Sequence, residues 1–238
     1  MRWTRALAVI VAVAAVLMLA LAGLGTRADL WTYRTGFTLL RYAAYAGGAS
    51  IVLTVLALVI TRPRGGMLGV LVGALGLGVL TLGLPYSQQR AARAVPPIHD
   101  ITTDTNDPPV FVAVLSLRAD APNSAEYAGD SIASLQRAAY PDVQPLQLTD
   151  APGLAYTRAL RAAESMGWTM VATDSAAGRI EATATTTWFG FKDDVVIRLR
   201  AEGSGTRVDV RSVSRVGRSD VGANAARIRA YVKALNAQ

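Results

Sequence analysis

The chain has 238 residues, 52% of them apolar, no cysteine and a formal charge of +7. The lack of cysteine excludes disulfides, thiolate metal sites and cysteine nucleophiles. The positive charge does not indicate a nucleic-acid partner. Residues 1–95 hold nine arginines against one acid, Asp29 (net +8), whereas residues 96–238 hold fifteen Lys/Arg against sixteen acids (net −1). The basic excess therefore flanks hydrophobic segments, where arginine meets lipid headgroups.

Residues 6–24 are apolar and uncharged, close to the roughly 20 that a bilayer core requires. Arg2 and Arg5 precede them and Thr26-Arg27-Ala28 follows, which fits an uncut anchor better than a removed signal peptide. Residues 37–60, interrupted only by Arg41, and the glycine-rich 67–84 read as two further spans, joined by Arg62-Pro63-Arg64-Gly65-Gly66. Small residues four apart (Ala43 and Gly47, Ala44 and Gly48, Gly69 and Gly73, Ala74 and Gly78) predict close helix approach. No acid, histidine or lysine falls within a span, so a multi-pass anchor in the lipid bilayer is favoured over an ion path. The positive-inside count ties Arg2, Arg5, Arg62 and Arg64 against Arg27, Arg34, Arg90 and Arg93. The signal-like start breaks the tie: N-terminus in the cytoplasm, residues from 85 onward on the periplasmic side of the inner membrane.

The polar stretch 85–95 reads as a linker, and 96–238 as one α+β domain. A turn-rich lead-in (98–109) precedes an expected short strand at 111–117, an expected helix at 124–137 weakened by Gly129, and a turn at Tyr140-Pro141-Asp142. A helix follows, capped by Asp150 with Pro152 in its first turn and closed by Gly167. Four successive strands are expected at 168–173, 179–187, 194–200 and 207–214. A last helix starts from a Ser219 or Asp220 cap, with Val221, Ala225, Ile228, Val232 and Leu235 at helical spacing. The predicted architecture is a four-stranded antiparallel sheet with helices on one apolar face.

That geometry leaves the other face polar, with Glu181, Thr183, Thr185, Arg198, Arg200, Arg207, Asp209 and Arg211 on it. Residues 96–191 carry a net −6 and residues 192–238 a net +5. The acidic front half is thus expected to lie over the basic sheet and exchange ion pairs. The alternative is a basic face left open for an anionic headgroup or partner.

Three arginines (Arg211, Arg215, Arg218) converge before the last helix. With Ser219, Asp220, Asn224 and Arg227 they form a candidate site for an anion at a helix N-terminus, unless Asp193 and Asp194 fill that role from within the chain. Trp188, Phe189 and Phe191, next to Asp193 and Asp194, form an aromatic and acidic turn, either a lid on the core or a platform for a lipid or partner. Adjacent carboxylates on a strand face opposite sides, so Asp193 and Asp194 are no general acid/base pair. His99, the one histidine, sits with Asp100 and Asp104 as weak catalytic candidates. The spacing of a metal site is missing, and no cofactor is implied. Gly129-Asp130-Ser131-Ile132 has the look of a hydrolase nucleophile block but lacks a histidine downstream.

Several stretches carry a family resemblance: Ile98-His99-Asp100-Ile101-Thr102-Thr103-Asp104, Tyr140-Pro141-Asp142, Trp188-Phe189-Gly190-Phe191-Lys192-Asp193-Asp194-Val195-Val196-Ile197-Arg198, and residues 208–229. On these the domain resembles the DUF1499 family, membrane-associated bacterial proteins of unknown function. The resemblance implies no activity or site residues. It does include short lipid-anchored forms, in keeping with an extracytoplasmic domain. The sequence thus favours a membrane-anchored, non-catalytic binding or assembly module of the cell envelope. Its expected partner is an anionic lipid headgroup or envelope protein. The alternative is an envelope hydrolase using His99 with its neighbouring carboxylates.

Overall fold

A computed structural model describes residues 2–238. Three helices come first, α1 (Arg2–Arg27), α2 (Tyr33–Thr61) and α3 (Gly66–Arg93). There follow β1 (Asp100–Thr102), a 3-10 helix (Ala113–Arg118), α4 (Asp130–Ala139), β2 (Leu146–Leu148) and α5 (Pro152–Ser165). The chain ends with β3 (Thr169–Asp174), β4 (Arg179–Thr185), β5 (Lys192–Glu202), β6 (Gly205–Ser214) and α6 (Ala223–Asn236). Two compact units result: Met1–Ala91 with Thr187–Gly190, and Ala92–Thr186 with Phe191–Gln238.

In the first unit, α1, α2 and α3 are each long and apolar enough to cross a membrane. Ala8, Ala12, Ala15, Leu19 and Ala22 form a buried seam along α1, and Arg5 Nε donates to Thr61 Oγ1 (2.8 Å), tying its start to the end of α2. Only part of the small-residue pattern is used for packing. A Cβ on Gly47 would lie 2.3 Å from Thr81 Oγ1 and 3.0 Å from the Gly78 carbonyl oxygen, so α2 and α3 meet there nearly backbone to backbone. Gly48, Gly69 and Gly73 have nothing within 4 Å of that position. The polar stretch expected as a linker instead continues α3 through Pro85 to Arg93. Proline removes one backbone donor there, and the Gln, Ala and Arg residues beyond it are good helix formers.

The second unit is built on a sheet of six strands rather than four, in the order β1-β6-β5-β4-β3, all antiparallel. The meander is as expected, but the free edge of β6 also takes β1 (Asp100↔Val213) and β2 (Leu146↔Val208). Both additions are three residues long, too short for a periodicity signal. Gln136 of α4 extends the pairing by accepting from the Thr102 N–H (3.0 Å) and donating to its carbonyl (2.6 Å).

One face of this sheet presents Ile180, Val195, Ile197, Leu199, Val208 and Val210 to the buried sides of α5 and α6, chiefly Ala155, Ala159, Ala163, Ile228, Tyr231 and Leu235. Tyr231 is fully buried, its hydroxyl donating to the Ala159 carbonyl (3.1 Å). The opposite face is covered as well. Phe111 and Val114 pack on Val196 and Val213 to form a second, smaller core.

The strand expected at 111–117 is the 3-10 helix Ala113–Arg118. Its inward residues, Phe111 and Val114, are three apart, and the fully buried Glu181 carboxylate accepts the N–H groups of Val112 (3.0 Å) and Val114 (2.9 Å). That competes successfully with strand pairing. The helix expected from residue 124 begins at Asp130, after Gly129 turns the chain at φ +74°. Asp150 does not cap α5. It pairs with Arg158 and leaves Ala151 at the N-cap.

Candidate functional site

The sheet face opposite α5 and α6 carries a dense group of charged side chains, in fixed pairs. Asp194 lies on the β5 face that also bears Val196. Its carboxylate has no exposed surface and accepts from Thr183 Oγ1 (2.7 Å), Arg118 Nη1 (3.0 Å) and Arg215 Nε and Nη2 (2.9 and 2.8 Å). Burial lowers the Arg118 pKa, and Asp194 opposes that shift. Arg211, on β6, is held bidentately by Asp100 of β1 (2.9 and 2.8 Å) and donates to the carbonyls of Pro109 and Ala125. Its guanidinium also lies over the Phe111 and Tyr127 rings, at 5.2 and 5.5 Å. Such planar, bidentate and stacked contacts suit arginine and not lysine. The Tyr127 hydroxyl is buried without a hydrogen-bond partner, and burial pushes its pKa up to about 12.

Further along the face, Asp104, Asp107 and Asp209 interleave with Arg198, Arg200 and Arg207. The hydrogen bond from Arg200 holds the Asp107 carboxyl below the usual carboxylate range, against the opposing effect of its slight burial. Asp104 and Asp107 come from the front half and the arginines from the sheet, as the charge asymmetry predicts.

The turn before α6 has its own network. Val221 and Gly222 are both left-handed (φ +57° and +82°). This folds the chain so that the Asp220 carboxylate accepts from the N–H groups of Gly222 and Asn224, both at 2.8 Å. Asp220 thus meets the helix start from within the chain. Burial nonetheless raises its pKa, outweighing those two N–H donors. Ser219 Oγ accepts from the Val221 N–H (3.2 Å). Asn224, fully buried, joins Ser212, Ser214 and the His99 carbonyl, and Arg227 bridges this group to Asp193 at 2.5 Å.

The candidate arginines therefore separate. Arg211, Arg215 and Arg227 each hold a carboxylate of the chain, whereas Arg218 is exposed. His99 points its Nδ1 at the Arg218 carbonyl (3.4 Å), while its neighbours Asp100 and Asp104 are engaged by Arg211 and Arg207. The histidine and the carboxylates are not brought into one constellation. Among the described residues no group of three or more His, Asp or Glu is placed to hold a metal. The aromatic turn divides too. Trp188 and Phe189 belong with the helical unit, where Phe189 is buried and its ring lies 5.3 Å from that of Phe37. Phe191 is in the second unit, its N–H donating to Thr186 Oγ1 (2.9 Å).

Sequence reasoning passed over Arg118, whose partner lies 76 positions away, and Arg137. Arg137 lines a polar cavity of about 370 Å³ with Thr103, Thr105, Asn106, Val143 and Gln144. Its Nη1 donates to Thr105 Oγ1 (2.9 Å) and no carboxylate is paired with it among the described residues. Beyond Val143 and Gln144 a second hollow of about 400 Å³ has Ile228 and Val232 for a floor and Arg229 and Lys233 on its rim.

A family model described as a protein of unknown function, DUF1499, matches residues 100–235. A comparison with curated proteins gives no match.

Proposed function

This chain belongs to the DUF1499 family, and from that membership and its apolar helices we propose a membrane-anchored, non-catalytic binding or assembly module of the bacterial cell envelope. In this reading the three helices cross the inner membrane and the α+β unit is displayed on its periplasmic side. The group recognised is anionic, a lipid headgroup or an acidic group of an envelope protein.

The observation that carries this reading is the state of Arg137. The arginines on the covered sheet face are neutralised by carboxylates of the chain, whereas Arg137, in the last turn of α4, opens onto a cavity lined by Thr103, Thr105, Asn106, Val143 and Gln144, with no carboxylate among them. A guanidinium flanked by Thr103, Thr105, Asn106 and Gln144 suits a phosphate or carboxylate, which accepts from all such donors. Arg218, exposed before α6, is another cation open to an external anion.

Lipid retained by the full-length protein in mild detergent, read by native mass spectrometry, tests this. Arg137→Ala is expected to lose bound phosphatidylglycerol without a change in melting temperature. Arg215→Ala is expected to lower the melting temperature and keep the lipid. Full retention in both Arg137→Ala and Arg218→Ala would overturn the anion reading. A C-terminal reporter active only in the periplasm checks the orientation separately.

A further inference from the structure

The segment around the 3-10 helix turns two apolar side chains inward and four outward. Phe111 and Val114 are buried, while Val110, Val112, Leu115 and Leu117 are 67%, 49%, 46% and 54% exposed. Four exposed aliphatic side chains within eight residues are an unusual local concentration of the kind found at interaction surfaces. No charged side chain interrupts the chain between Asp107 and Arg118, and Arg118 is itself turned inward.

The segment is firmly built. Glu181 holds the N–H groups of Val112 and Val114, and Arg211 donates to the Pro109 carbonyl (3.1 Å). Arg118 is fixed by Asp194, and Arg215 Nη1 donates to the Leu117 carbonyl (2.7 Å). Charged side chains thus hold the backbone of the segment at Pro109, Val112, Val114 and Leu117. The Leu117 end lies where β4 passes to β5, because the Arg215 N–H also donates to the carbonyl of Lys192, the first residue of β5 (3.0 Å).

We propose that Val110, Val112, Leu115 and Leu117 form a bilayer-docking ridge, whose side chains enter the headgroup and upper acyl region of the membrane that the same chain spans. Two observations favour lipid over a protein partner. The outward set is valine and leucine alone, residue types under-represented among the Trp, Tyr and Arg anchors of protein interfaces. Three membrane-crossing helices in the same chain also keep the ridge at a lipid surface at high effective concentration. Docking would fix the attitude of the α+β unit on its anchor. The inference rests on the anchor reading, but not on the Arg137 cavity.

The absence of cysteine makes the test direct. Single variants Leu115→Cys, Leu117→Cys, Leu154→Cys (an exposed α5 position) and Val55→Cys (an exposed α2 position) are labelled with an environment-sensitive fluorophore. Each full-length protein is placed in phosphatidylcholine nanodiscs. The labels at 115 and 117 are expected to shift to the blue, be quenched by doxyl-phosphatidylcholine and resist iodide, whereas the label at 154 is quenched by iodide alone. Iodide access at 115 and 117 equal to that at 154, with the label at 55 quenched by doxyl lipid, overturns the ridge and leaves the anchor standing. Failure of doxyl lipid to quench at 55 overturns both. Protection at 115 and 117 that appears only in native membranes and not in nanodiscs assigns the ridge to a protein and also overturns the proposal.

Discussion

Replacing Asp194 with asparagine probes the arrangement on which the covered sheet face depends. The carboxylate is fully buried and shared by Arg118, Arg215 and Thr183. Asparagine keeps the shape but is neutral, offers one oxygen in place of two, and turns N–H groups towards a guanidinium. Arg118 and Arg215, 3% and 14% exposed, would then lie side by side without their counter-charge. Removing one partner of such a buried pair costs about 3–5 kcal/mol. The pair between Arg229 and Asp142 has the same bidentate form (2.6 and 2.7 Å) but is 44% and 55% exposed. Pairs in that setting contribute only about 0–1 kcal/mol. Against a typical domain stability of about 5–15 kcal/mol, the first loss is a large share of the total and the second is minor. Pulse proteolysis of the full-length protein in detergent, across a urea series, reads the difference. At a urea dependence of roughly 2 kcal/mol per molar, Asp194→Asn lowers the midpoint by about 2 M and Asp142→Asn by less than about 0.5 M. Equal shifts would refute the reasoning, since burial is what distinguishes the two pairs.

Tyr127→Phe removes a buried hydroxyl that has no partner and keeps the ring under Arg211, so melting at pH 7 is expected to be unchanged or up to about 1 kcal/mol more favourable. The raised Tyr127 pKa stabilises the fold below the unfolded value near 10, and that contribution is lost as pH rises through about 12. The variant should therefore show a weaker alkaline loss, and an unaltered alkaline profile would count against the assignment. Asp220 also has a raised folded pKa, so its contribution is present below its unfolded value and fades as pH climbs through the folded one. The melting temperature of the native chain relative to Asp220→Asn should thus fall from pH 4 upward and then level off. A difference independent of pH would contradict it. Gly47→Leu drives a side chain into Thr81 and the Gly78 backbone, and overpacking there is expected to cost about 1–3 kcal/mol, whereas Gly48→Leu, facing open space, should leave detergent stability unaltered.

What could be read from the sequence follows from the range of each signal. Period-two alternation placed Ile180, Val195 and Ile197, and Val208 and Val210 on the face that meets α5 and α6, because a strand's inner face is recorded in its own residues. The charge asymmetry gave the covering of the other face but not the partners. Arg211 meets Asp100 and Arg215 meets Asp194 through register across the sheet, and Arg227 meets Asp193 through the packing of α6 on it. Residues 111–117 read as a strand because their apolar content is local, while the Glu181 carboxylate that decides their conformation lies some 67 positions on. In the apolar helices, residues four apart mark packed and unpacked positions alike. Gly47 and Gly48 are adjacent, and which one meets a neighbour depends on the rotation of the whole helix.

The free edge of β6 accepts both β1 and β2, though β1 was made about 110 residues earlier. On the ribosome, at about 5–20 residues per second, β1 waits roughly 5–20 s for its mate after it is synthesised. All three apolar helices precede it, so the α+β unit matures last, and any nascent chain halted before Gly205 strands two segments rather than one. A premature stop in β6 is therefore expected to yield a chain that is inserted yet fit only for proteolysis, never a slightly shortened working form.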